Sequence, residues 1–151
     1  MLLVGETTNS FRRLKKSLGR RHCRYQTATS YEEAHRLIGE EMPDFVLSAL
    51  RPRPGAISSI TERLSGSPAS FYYAYPVEDG CWWLPALRRG ERCLGAPALR
   101  STEFTRVFDS VLAEIRAARA AEEIRTAPTP RPARRAKPRK PVLLAYEKAA
   151  S

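Results

Sequence analysis

The chain predicts an α/β fold, a mostly parallel sheet with helices on both faces, and three observations carry that expectation. Short apolar runs alternate with segments whose apolar residues recur every three or four positions. The runs Met1–Val4 and Phe45–Leu50 are almost continuously apolar, as strands covered on both sides are. Turn and capping residues fall between the two kinds of segment rather than inside them. With 151 residues, 42% of them hydrophobic, the chain suits one domain with a core of ordinary size.

The elements follow in order. Met1–Val4 reads as a buried strand ended by Gly5. Asn9 or Ser10 caps a helix whose apolar positions are Phe11, Leu14 and Leu18, with Gly19 and Arg20-Arg21 at its end. Cys23–Thr29 alternates around Cys23, Tyr25 and Thr27, a second strand. Ser30 and Glu33 form a capping box, each side chain placed to satisfy the other's backbone N–H, and the helix they open buries Ala34, Leu37 and Ile38. Pro43-Asp44 leads into the third strand, Phe45–Leu50. After a loop at Arg51–Gly55, a third helix carries Ile57, Ile60 and Leu64, and Phe71–Tyr75 is a fourth strand. The clearest helix is the last, where Phe104, Val107, Phe108, Val111, Leu112 and Ile115 share one face.

Residues 76–100 break the alternation. Cys81-Trp82-Trp83-Leu84 and Arg92-Cys93-Leu94 flank Arg88-Arg89-Gly90-Glu91, two short runs about a glycine turn. This predicts a β-hairpin inserted where a helix and a strand would otherwise stand.

The formal charge is +10, from 26 Lys+Arg against 16 Asp+Glu. It is unevenly spread: residues 126–151 hold seven basic residues, one acid and five of the 12 prolines. Such a stretch buries little and lacks backbone donors at its prolines, so residues 121–151 are expected to form a flexible, disordered tail behind a domain at 1–120. Val142-Leu143-Leu144-Ala145-Tyr146 within it is either a docking motif or a frayed end. No apolar run is long enough to span a membrane, and the N-terminus lacks the basic and apolar regions of a secretory signal. A cytoplasmic protein is the expectation.

The run SYEEAHRLIGEEMPDFVLSALRPRPG resembles the middle of a response-regulator receiver domain, in which a helix opening Ser-x-Glu-Glu-Ala leads to Pro-Asp and a strand ending at the phosphorylated aspartate. The likeness covers residues 1 to about 75 in order, and the last helix matches the last receiver helix. It implies a flavodoxin-like fold and a bacterial signalling role. It also places the family's phosphoacceptor at Ala49, whose methyl accepts no phosphoryl group. Of the two acids that a receiver uses to hold Mg²⁺, only Glu6 has a counterpart, beside Gly5. The hydroxyl residue at the end of the fourth strand falls near Tyr75, and no lysine lies between Lys16 and Lys137. Asp44 is no substitute, because it precedes Ala49 by roughly 17 Å of strand.

Other chemistry finds few residues. There is no zinc-ligand spacing, phosphate loop or nucleophile elbow, so no enzyme, metal or cofactor is expected. His22 and Cys23 are neighbours that a strand would turn to opposite faces, and His35 stands apart from any cysteine. Cys81 and Cys93 flank the hairpin and either face each other across it or are two small buried residues. Trp82 and Trp83 would face opposite ways on a strand; the outward one, with Tyr75, Arg88 and Arg89, has the composition of an interaction hot spot, or packs on the last helix.

Two functions are therefore expected. One is a phosphorylation-independent pseudo-receiver that binds a protein partner through the hairpin and last helix, a homodimer being possible. The other is sequence-independent association with DNA or RNA through Arg131, Arg134, Arg135, Lys137, Arg139 and Lys140, which can neutralise phosphates and release counterions.

Overall fold

Leu2–Val4 (β1), Gln26–Ala28 (β2), Phe45–Ser48 (β3) and Ser70–Val77 (β4) lie parallel in the order β2-β1-β3-β4. The computed structural model describes residues 1–6, 9–77 and 80–126. The helices Asn9–Arg20 (α1), Tyr31–Glu40 (α2) and Pro54–Leu64 (α3) make the crossovers, and Ser101–Thr126 (α4) closes the chain. Every sequence-predicted helix is present. Asn9 and Ser10, expected to cap α1, lie within its first turn, and the side chains of Asn9, Ser10 and Phe11 lie outside what is described.

The sheet separates two cores. Leu2, Val4, Val46 and Phe71 meet Ala34 and Ile38 of α2 and Ile60 and Leu64 of α3 on one face. Leu3, Phe45, Leu47 and Tyr72 meet Leu18 of α1 and Phe104, Phe108, Val111 and Leu112 of α4 on the other. Successive strand residues point to opposite faces, so strands covered on both sides must be apolar throughout. That is why the continuous runs at β1 and β3 were legible.

The departure comes after β4. Gly80–Arg88 (β5) turns straight back and pairs antiparallel with β4, from Val77↔Gly80 to Phe71↔Leu87. Only residues 78–79 join the two strands, too few for the crossover helix that a parallel strand needs. The predicted hairpin is therefore real but differently built: its principal pair is β4–β5. The second arm shrinks to Glu91–Arg92 (β6), and Leu99–Arg100 (β7) pairs with the first half of β5. The fold is thus α/β with a mixed sheet, parallel through β4 and antiparallel from β5.

Two features shape β5. At Pro85 the register slips, so that Tyr72 faces Pro85 while Phe71 faces Leu87. This bulge accommodates a residue with no backbone donor and sends Leu87 into the α2/α3 core. At the β5–β6 turn, Arg89 and Gly90 both have positive φ, 52° and 86°. Two such residues are what a two-residue hairpin loop of the right twist requires.

Three boundaries differ from expectation. The second strand is only Gln26–Ala28; Cys23 instead follows the end of α1, where its N–H bonds Leu18 O at 3.2 Å. The third strand stops at Ser48, leaving Ala49 exposed. And α4 continues to Thr126, six residues past the expected end of the domain at 120.

Candidate functional site

Glu6 and Ala49 both stand at the carboxyl ends of their strands, where ligands of open α/β sheets bind. Val4 pairs with Ser48, and the N–H of Ala49 donates to Val4 O at 2.7 Å. Both residues are exposed. That end of the sheet therefore presents one carboxylate, Glu6, and at Ala49 a methyl group. Among the described residues no group of three or more His, Cys, Asp or Glu could hold a metal ion.

A neutral network lies beside that position. The Ser48 hydroxyl, fully buried, donates to Tyr31 Oη at 3.1 Å, and the Tyr31 hydroxyl donates to Leu50 O at 3.5 Å. Ser48 Oγ in turn accepts from Leu50 N–H at 3.3 Å. Burial pushes the Tyr31 phenol above its ordinary pKa, partly offset by its bond to Ser48. Tyr31 is held there by the helix start behind it: Ser30 Oγ accepts from Glu33 N–H at 3.1 Å. Glu33 reaches back to Thr29 rather than Ser30, accepting from its N–H at 2.7 Å and its hydroxyl at 2.9 Å, which hold its carboxyl below the usual range. The capping box is present with its return arm moved one residue.

Past the end of β3 the β4–β5 hairpin continues alone. Ser48 lies level with Tyr73, so Tyr75 is two residues beyond the last parallel pair. It faces Trp82, and Trp82 faces Arg100, so the three form one row across β4, β5 and β7. The Arg100 guanidinium sits 5.3 Å from the centroid of the Trp82 ring. Its backbone N–H donates to Glu103 Oε2 at 2.9 Å at the start of α4. Tyr75 is 48% exposed and Trp82 half-buried, on the α2/α3 side of the sheet, where β4 passes to β5 without a helix.

The two tryptophans do face opposite ways. Trp83 is 9% exposed and stacks on Phe104, with Tyr72 also against that ring. As a candidate contact residue it is therefore spent on the core. Arg88 and Arg89 do not join Trp82 either. Arg88 ends β5, six residues or about 20 Å along the strand from Trp82, and Arg89, in the turn that follows, pairs with Glu114 of α4. The row that forms is Tyr75, Trp82 and Arg100. Arg100 escaped the sequence because a two-residue strand carries no periodicity to detect.

Cys23, Cys81 and Cys93 are free thiols. Cys81 lies opposite Pro76, whereas the N–H of Cys93 bonds Ala86 O at 3.4 Å, so the two stand at different heights on β5. Burial pushes both thiols up, which makes them poorer nucleophiles. The candidate nucleic-acid residues Arg131, Arg134, Arg135, Lys137, Arg139 and Lys140 lie outside the described residues, as do Val142–Tyr146. No helix among the described residues is long and apolar enough to cross a membrane. No family model, curated protein or solved structure matches this chain.

Proposed function

We propose that this chain is a phosphorylation-independent, receiver-like module with a flavodoxin-like fold, and that it docks a protein partner through Trp82. The observation that carries this reading is the row Tyr75–Trp82–Arg100 on a hairpin face without a helix of its own. Trp, Tyr and Arg are the residues that dominate binding energy when a partner desolvates them. Ala49 and Glu6 support the phosphorylation-independent part, since the Ala49 methyl accepts no phosphoryl group and a lone Glu6 is a poor Mg²⁺ site. Two arms test it. Incubation with a small phosphoryl donor and Mg²⁺ leaves the mass of the full chain unchanged; a phosphoryl adduct refutes the reading. Trp82→Ala weakens capture of a cognate partner by tenfold or more while the fold persists, and unaltered capture refutes it.

A second reading rests on the six basic residues between 131 and 140. Binding of mixed-sequence DNA or RNA by the full chain then falls steeply between about 50 and about 200 mM salt, and deletion of the tail abolishes it. Equal binding without the tail counts against this reading.

A further inference from the structure

At the end of the molecule opposite Trp82, a cleft of about 500 Å³ opens between the amino ends of β1, β2 and β3 and the second half of α4. That volume lies in the range of ligand-binding sites. Phe45, Leu112 and Ile115 contribute apolar lining. Tyr25 and Met42 stand on its rim, 39% and 47% exposed, two of the few large hydrophobic residues left in solvent among the described residues.

Its charged groups are unequally engaged. Asp44 pairs with Arg119 at 2.5 Å, Arg116 donates to Arg21 O at 2.6 Å, and Glu41 accepts from Gln26 at 3.4 Å. The Met1 ammonium donates to Arg24 O at 3.3 Å, and burial lowers its pKa. With Arg24, Arg116, Arg119 and the ammonium against Asp44 and Glu41, cations are in excess.

The end of α4 is close by. Arg119 lines the cleft, and Thr126, where the described chain ends, is seven residues or about 10 Å further along the helix. Beyond it the one sustained apolar run is Val142–Tyr146, and Glu147, the sole acid of residues 126–151, follows directly. Val142 follows Thr126 by 16 positions, a length that spans about 20–24 Å on average for a random coil. The run is thus tethered within easy reach of a cation-rich cleft that carries an apolar patch at Phe45, Leu112 and Ile115.

We infer that Val142–Tyr146 docks into the amino-end cleft of its own chain, with the aliphatic run on the apolar lining and Glu147 beside the excess cations. A tether of this kind supplies a millimolar effective concentration, so even a weak site is largely filled. The proposal is independent of the Trp82 surface and of what the basic residues bind.

Cys23 lines the cleft and reports on its occupancy. The full chain is alkylated under native conditions and the rate at each cysteine read by peptide mapping. Leu143→Asp/Leu144→Asp is expected to speed alkylation of Cys23 roughly sixfold, as for an effective concentration about five times the intrinsic Kd, with Cys81 unchanged. Met42→Asp, at an exposed rim position, is expected to do the same. An unchanged Cys23 rate in the tail variant overturns the proposal, and so does an equal rise at Cys81, which reports loosening of the whole fold. Protection of Cys23 that disappears on hundredfold dilution also overturns it, because the occupant would then be the tail of a second copy.

Discussion

Trp83 stacks on Phe104 with ring centroids 4.3 Å apart and planes 12° from parallel. Phe104 opens the buried face of α4 and Trp83 sits midway along β5, so this contact fastens the antiparallel hairpin to the last helix. Neighbouring Trp82 sits on the other side of the sheet under Arg100. The two side chains therefore differ in energetic role although they are adjacent and identical.

Trp83→Ala is expected to lower stability by about 3–5 kcal/mol, the cost of emptying a large aromatic site. Trp82→Ala should cost less, about 1 kcal/mol, since it removes a partly buried ring at the edge of the core and one cation–π contact. Urea unfolding of the two variants distinguishes them. Equal losses would mean that Trp82 is as much a core residue as Trp83.

Tyr31→Phe removes the hydroxyl that receives the Ser48 bond and is expected to cost about 1 kcal/mol. A double-mutant cycle with Ser48→Ala checks it. If the two residues act through their mutual bond, the double variant loses less than the sum of the single ones. Strict additivity would mean that the hydroxyls act separately.

Asp109 and Arg21 join α4 to the end of α1, with Arg21 Nε 2.6 Å from Asp109 Oδ1. The guanidinium holds the Asp109 carboxyl below its ordinary 3.8. A carboxylate with a depressed folded-state pKa contributes stability that is present above the unfolded pKa and is lost as pH falls through the folded one. Asp109 is half exposed, so solvent screening limits the contribution to less than about 1 kcal/mol. Asp109→Asn should be slightly less stable than the parent at about pH 6, with the difference gone near pH 2. A difference that persists in acid would assign the effect to something other than this ion pair.

Gly90 and Gly19 should respond oppositely to alanine. At Gly90, φ is 86° and an added Cβ would lie 3.0 Å from the Ser67 carbonyl oxygen, so Gly90→Ala is expected to destabilise by about 1–2 kcal/mol. Gly19 lies near the end of α1 with nothing within 4 Å of an added Cβ, and Gly19→Ala should stabilise by up to about 1 kcal/mol. Thermal midpoints moving in the same direction would contradict the turn geometry.

Much of this molecule could be read locally. The continuous runs at β1 and β3, Ser30 before α2 and the apolar face of α4 each record a near-neighbour requirement: burial on both faces, a free N–H to satisfy, a stripe to cover. The opposite orientation of Trp82 and Trp83 followed from the two-residue period of a strand.

What the tertiary structure decided is which of these pieces meet. The antiparallel course of β5 depends on the connection between two strands, and it set Arg88 and Arg89 about 20 Å from Trp82 while bringing Arg100 onto that ring. The choice of Trp83 rather than Trp82 for the core depended on which side of the hairpin α4 covers. The amino-end cleft is built from segments as distant as Met1 and Arg119. Local sequence records the face that each residue must bury, but long-range pairing sets the register and direction in which those faces are assembled, and contacts between remote residues follow only from that assembly.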